Sequence, residues 1–218
     1  MMKRAQTGVP LSELEFGGAA PSVVSLAGPD RVILTEGDTF SVSVEGDPET
    51  TEKLRFEREG ESFNIRRESG INISSDAAII RVTMPAPETI RLSGSGVIEA
   101  PAMASSATIE SSGSGTVRVA AFEAETLDIA QSGSGTVSGS GRTDRLDLAI
   151  SGSGTSDLQN LSVEEADIRI SGSGDAAFAS DGRVNASIAG SGDVTVRGTA
   201  KCASSAAGSG KLVCSPTG

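Results

Sequence analysis

The tetrapeptide Ser-Gly-Ser-Gly occurs at 93–96, 112–115, 132–135, 151–154 and 171–174, and Ala-Gly-Ser-Gly follows at 189–192 and 207–210. The first glycines are Gly94, Gly113, Gly133, Gly152, Gly172, Gly190 and Gly208, spaced 19, 20, 19, 20, 18 and 18 residues apart. A unit this short cannot bury a hydrophobic face by itself. Seven copies at nearly constant spacing must therefore stack on one another, each covering the next.

The residues flanking each motif alternate with period 2. Before the motif, the second and fourth positions are Ile90/Leu92, Ile109/Ser111, Ile129/Gln131, Leu148/Ile150, Ile168/Ile170, Ala186/Ile188 and Ser204/Ala206. After it they are Ile98/Ala100, Val117/Val119, Val137/Gly139, Ser156/Leu158, Ala176/Phe178, Val194/Val196 and Leu212/Cys214. Ala107, Leu127, Leu146, Ala166, Val184 and Cys202 form a further inward column two residues earlier. Alternation on both flanks reads as strand, turn, strand with one face buried. At ~3.3 Å per residue, one unit wraps once around a narrow core, and successive wraps stack at ~4.8 Å. This predicts an all-β fold, a β-solenoid with coils of 18 to 20 residues. A chain of hairpins would need a second recurring turn, and only one recurs. The core is thin, which suits a sequence with six Phe, no Tyr and no Trp. The Gly-Ser-Gly corner is read as structural: glycine reaches positive φ freely, and the stacked serines Ser95, Ser114, Ser134, Ser153, Ser173, Ser191 and Ser209 are placed to hydrogen-bond from coil to coil.

Residues 17–88 lack the motif but read as short strands at 23–26, 31–35, 40–44, 54–59, 63–67 and 79–84, separated by Gly/Pro/Asp turns. Solenoid ends need covers, because an open coil exposes unpaired backbone. The expected organisation is a flexible tail over 1–16, β-rich N-terminal coils and cap over 17–88, and the Gly-Ser-Gly solenoid with its terminal coil over 89–218, the whole forming one continuous domain from 17 to 214.

Cys202 and Cys214 both fall on inward columns of the last coil, twelve residues apart. They read either as a disulfide that ties down that coil or as two buried thiols; a disulfide would place the protein in an oxidising compartment. The formal charge of −11, with no basic cluster, excludes nucleic acid as a partner. No apolar run is long enough to span a bilayer. Met1-Met2-Lys3-Arg4 has the charge of a signal start without the apolar stretch to follow, so either the protein is cytosolic or a signal segment has been removed, the second being the reading preferred here.

The chain contains no His, which leaves its serines without the usual base, so no catalytic residue and no cofactor are expected. Asp128, Asp147 and Asp167 hold one outward position in three successive coils, as do Asp175 and Asp193 after the turn. Stacked like charges repel. A cation such as Ca²⁺ would relieve them, but a solvated face helped by Arg145 and Arg169 is the reading preferred here. Polysaccharide cleavage would need clustered carboxylates and sugar-stacking aromatics. Ice binding would need a second threonine column beside Thr116, Thr136 and Thr155.

The repeat, with the segments GPDRVILTEGDTFSVSVEGD (28–47), LRFEREGESFNI (54–65) and IIRVTMPAPETIRLSGSG (79–96), resembles the bacterial head-GIN family of auto-transporter adhesin head domains over roughly 17–214. The resemblance implies a right-handed single-stranded β-helix. It also implies export to the periplasm or cell surface of a Gram-negative bacterium. It supplies no catalytic residues. The function expected is a non-catalytic exported module for binding or adhesion, whose partner is a protein or glycan at the cell surface. The alternatives are a carbohydrate-active β-helix enzyme and a structural envelope protein that self-assembles by stacked ends or faces, the partner then being a homo-oligomer.

Overall fold

The structure, a computed structural model, describes residues 8–68 and 77–216. It is a β-solenoid whose strands form a single continuous sheet. β1 (Val23–Ala27) and β2 (Arg31–Glu36) make a first coil around a corner at Gly28. β3 (Ser41–Glu45), a one-turn helix α1 (Pro48–Thr51) and β4 (Leu54–Glu59) follow, then β5 (Ser62–Arg67) and β6 (Ile79–Met84). The repeat begins with β7 (Thr89–Gly94), β8 (Val97–Ala102) and β9 (Ser106–Gly113). β10 (Thr116–Gly133), β11 (Thr136–Gly152), β12 (Thr155–Gly172) and β13 (Asp175–Gly190) each run from one Gly-Ser-Gly corner to the next. β14 (Asp193–Arg197), β15 (Lys201–Gly208) and β16 (Lys211–Ser215) complete the rod.

The inward columns become ladders. Ile109, Ile129, Leu148 and Ile168 are direct partners in successive parallel pairs, as are Ala107, Leu127, Leu146 and Ala166. All are buried. After the corner, Ile98, Val117, Val137, Ser156, Ala176, Val194 and Leu212 form the matching ladder. Branched side chains stacked one strand spacing apart fill such a tube without voids. Phe122 and Phe178 are fully buried within the repeat, so the core does admit aromatic bulk at two coils.

Each first glycine of the motif has positive φ, from +111° to +135° across the seven corners. A Cβ at Gly133 would stand 2.4 Å from the carbonyl oxygen of Gly113. The corner is therefore closed to other residues twice over, by backbone conformation and by the coil beneath. The coil-to-coil bond differs from the serine hydroxyl bonding expected. The main-chain N–H of the central serine donates to the glycine carbonyl of the previous corner, as from Ser134 to Gly113 at 2.8 Å and Ser153 to Gly133 at 2.8 Å. Uneven coil lengths are absorbed at the opposite corner, where the register shifts between Val119 and Phe122, Ser138 and Ser140, and Leu158 and Ser162.

Gln131 and Ser156, both on inward positions, are buried polar groups that satisfy each other. The Ser156 hydroxyl donates to Gln131 Oε1, while Gln131 Nε2 donates to the carbonyls of Gly135 (3.3 Å) and Thr155 (3.4 Å). Ser156→Val should cost about 1–3 kcal/mol by stranding the amide. Ser156→Val combined with Gln131→Leu should recover most of that loss. Denaturant midpoints of the two variants check this.

At the N-terminal end, coil order in space departs from coil order in sequence. β5 and β6 pair with β1 and β2, which pair in turn with β7 and β8, all in parallel. β3 and β4 lie outermost and run antiparallel to β6 and β5. The chain thus lays down its first coil, places two closing strands beyond it, and then slots a later coil between. The reversed strands end the stack, and Val9 exchanges main-chain bonds with Phe56 on the outer edge of β4. Leu14 is buried there, so residues 9–14, expected to belong to a loose tail, are held against the cap; residues 1–7 lie outside the described residues. Phe40, Phe56 and Phe63 pack as an aromatic plug, with Phe16 against Phe40.

Beneath the Gly28 corner, Asp30 is fully buried and ion-paired to Arg67, whose side chain is 4% exposed. Arg67 Nε donates to Asp30 Oδ2 at 3.1 Å, and the main-chain N–H of Ala78 donates to Oδ1 at 2.9 Å. One carboxylate at a first-coil corner thereby fixes the end of β5 and the approach to β6.

Candidate functional site

The outward columns are the surface through which a rod of this kind can act. Asp128, Asp147 and Asp167 are in register as direct partners, followed by Asn185. Arg145 reaches Asp167 at 3.0 Å, and Arg169 reaches back to Asp147 at 2.7 Å. Asn185 Nδ2 donates to Asp167 Oδ1 at 3.1 Å. The two arginines cross-brace adjacent coils, so guanidinium groups offset the repulsion of the column. Of the ladder weighed as a cation site at Asp128, Asp147 and Asp167, the last two carboxylates are each paired with an arginine. Among the described residues, no three Asp, Glu, Cys or His groups converge as metal ligands.

Asp175 and Asp193 are engaged by main-chain groups. Each accepts a main-chain N–H from the next coil: Asp175 from Asp193 at 2.9 Å, and Asp193 from Lys211 at 3.0 Å. Asp181 accepts from both the main-chain N–H (2.7 Å) and the hydroxyl (2.9 Å) of Thr199. These bonds, the main-chain one first, hold its carboxyl below the ordinary aspartate value. Its contribution to stability is present above the ordinary carboxylate range and is lost as pH falls through the lowered value.

Most remaining charges on the faces are likewise paired between coils. Glu99 bridges Arg31 (2.7 Å) and Arg118 (3.4 Å), Arg91 meets Glu110 at 2.8 Å, and Arg183 meets Glu165 at 3.3 Å. Exposed pairs of this kind contribute about 0–1 kcal/mol each, so their main effect is to keep an acidic surface locally neutral. Between them runs a shallow groove over the strands before the corner, bordered by Arg91 and Glu110 and floored by Ser112, Ala130, Ser132, Ala149 and Ser151. It presents hydroxyls and methyls on a flat strand surface. The sequence analysis did not single out this groove, because alternation shows which residues face outward but not the relief of the surface they form.

Cys202 and Cys214 form a disulfide across the terminal coil, with their Cα atoms 6.8 Å apart. The bond joins β15 to β16, each of which has a neighbouring strand on one side alone among the described residues. Replacing both cysteines by alanine should release this coil by about 2–4 kcal/mol in the loop-entropy account. Faster amide hydrogen exchange confined to residues 201–215 would be the expected signature.

A family profile described as "Putative auto-transporter adhesin, head GIN domain" matches residues 20–200. The chain belongs to this family. The head GIN match spans the cap, the slotted coil and six Gly-Ser-Gly corners, and stops just before β15. No curated protein matches the chain in sequence. Solved structures do match in fold. A "putative adhesin" from Bacteroides fragilis aligns with a TM-score of 0.82 at 16% identity, covering 91% of this head GIN chain and 93% of its own. A "putative lipid binding protein" from Parabacteroides distasonis aligns at 0.68 and 20% identity, over 92% and 94%. A "putative adhesin" from Parabacteroides merdae aligns at 0.66 and 13% identity, over 91% and 92%. At these identities the likeness is one of fold. Among the described residues of this head GIN chain, no helix is long and apolar enough to cross a membrane.

Proposed function

We propose that this chain is a non-catalytic binding module of the bacterial envelope, periplasmic or at the cell surface, that adheres to a protein or glycan through the flat outward face of its coils. The observation that carries this reading is the face itself. In-register strands fix the columns in place, several charges are paired between coils, and Ala130, Ser132, Ala149 and Ser151 leave an open strip of hydroxyls and methyls. A rigid, pre-ordered surface loses little entropy when a partner docks. The family description and the adhesin names of the Bacteroides fragilis and Parabacteroides merdae proteins support this reading. The terminal disulfide agrees with an oxidising compartment. The absence of His and the engagement of the outward aspartates by arginines and main-chain N–H groups weigh against hydrolytic chemistry.

Glycan-array binding and pull-down against isolated envelope proteins test the proposal. The expected result is a defined binder whose affinity falls at least about tenfold in Ala130→Arg combined with Ala149→Glu, with the melting temperature unchanged. No binder in either format would overturn it, as would release of reducing ends from an envelope polysaccharide.

A further inference from the structure

β3 pairs with β6 over all five of its residues, in unbroken register, and among the described residues no strand pairs with its other side. Its companion β4 differs: there Val9 exchanges main-chain bonds of 2.8 Å in both directions with Phe56. Alternate N–H and C=O groups of β3 therefore point out of the sheet. Edge strands are usually blunted by proline, a bulge or an inward charge. Ser41-Val42-Ser43-Val44-Glu45 has no proline and no bulge, and the residues it turns toward the core, Val42 and Val44, are only partly buried. Next to the start of the strand, Phe16 is 41% exposed, its ring centred 5.8 Å from that of Phe40. The surroundings are acidic. Residues 36–52 hold Glu36, Asp38, Glu45, Asp47, Glu49 and Glu52, all exposed, and no basic residue.

We propose that the free edge of β3 is a strand-addition site for a basic, extended segment of another protein, which pairs beside Ser41–Glu45. Three features select this occupant. First, the edge offers a main-chain ladder, and an extended polypeptide is the ligand that continues one. A glycan has no such ladder to offer. Second, Val42 and Val44 keep apolar surface in water that alternate apolar side chains of an added strand would cover, and Phe16 supplies an aromatic anchor at its start. Third, acids flank the strand at both ends, Glu36 and Asp38 before it and Asp47, Glu49 and Glu52 after it, on a chain with a net charge of −11. Lysines or arginines on either side of the apolar core of the segment complement them. A second copy of β3 fits poorly. Antiparallel pairing about Ser43 sets Glu45 against Ser41 of the other copy and carries Asp47 and Glu49 to the end that bears Asp38 and Glu36, so like charges gather at both ends. The inference stands apart from what the long faces of the rod bind.

Fluorescence anisotropy with a labelled synthetic peptide, KKVTVTVKK, tests it on the whole chain, together with amide hydrogen exchange. The expected result is saturable binding that slows exchange in 41–45 and weakens with added salt. Two control peptides should each bind at least about tenfold more weakly. One is the same peptide N-methylated at every valine and threonine, which keeps the charge and loses the N–H donors. The other is EEVTVTVEE, which keeps the donors and reverses the charge. Asp38→Lys combined with Glu49→Lys, one exposed position at each end of the strand, should weaken binding of KKVTVTVKK by a similar factor with the melting temperature unchanged. Should that variant fail to fold, as judged by circular dichroism, the three peptides on the unaltered protein decide. No binding of KKVTVTVKK at millimolar concentration, equal binding of the N-methylated peptide, or protection that spares 41–45 would overturn the proposal. So would protection of 41–45 that rises with protein concentration in the absence of peptide, which would make a second copy the occupant.

Discussion

Asp30→Ala is expected to lower stability by about 3–5 kcal/mol, the largest loss for any side chain at the N-terminal end. The carboxylate is fully buried, accepts from Arg67 and from the main-chain N–H of Ala78, and leaves a guanidinium 4% exposed when removed. The cost is chiefly that of buried donors, the Arg67 guanidinium and the Ala78 N–H, losing the carboxylate that accepts from them, and not the net worth of the pair. Replacing both partners by apolar residues, Asp30→Leu with Arg67→Met, should therefore recover a large part of the loss. Because Asp30 joins the first coil to the slotted coil beneath it, exchange should accelerate first in β5 and β6, and later in β11 and β12. Denaturant titration of the single and double variants, with exchange mapping, checks both statements. An Asp30→Ala protein within about 1 kcal/mol of the original would show that the pair is solvated in solution.

Gly172→Ala is the second. The φ of Gly172 is +125°, and a Cβ there would lie 2.4 Å from the carbonyl oxygen of Gly152. The backbone conformation alone costs about 1–3 kcal/mol for a residue with a side chain. The clash adds to this, because the oxygen it meets belongs to the corner below and accepts the Ser173 N–H at 2.8 Å. Relief requires parting two coils in the middle of the rod, where each is held by its neighbours on both sides. A loss above about 3 kcal/mol is expected, with poor soluble expression at 37 °C. Ser173→Ala at the next position should stay within about 0.5 kcal/mol, since the exposed Ser173 contributes its main-chain N–H and the variant retains it. Equal losses from the two substitutions would refute the main-chain account of the corner.

The same two sites mark the boundary between what the amino-acid order declares and what it conceals. Gly172 announces itself, because it recurs with six equivalents at almost constant spacing and its flanks alternate. Period-2 alternation states which side chains face inward, and a constant repeat states that they stack. Ile129, Leu148 and Ile168 could therefore be assigned to one ladder before any coordinates were known, and Cys202 and Cys214 to opposite strands of one coil. Asp30 gave no such signal. In sequence it is the third residue of a Gly-Pro-Asp turn, indistinguishable from a solvated aspartate. Its partners lie 37 and 48 residues away in a coil that the chain builds later and inserts beneath it.

Local order thus determined the coil, its corners, its inward ladders and the inward placement of both cysteines, because alternation and a constant repeat fix which side chains face the core and strand stacking brings equivalent residues into contact. Tertiary structure alone decided the order of the N-terminal coils, the reversed strands at that end, and which aspartate each arginine braces. Alternation specifies the face on which a strand buries its side chains, but carries no information about which strand lies beside it.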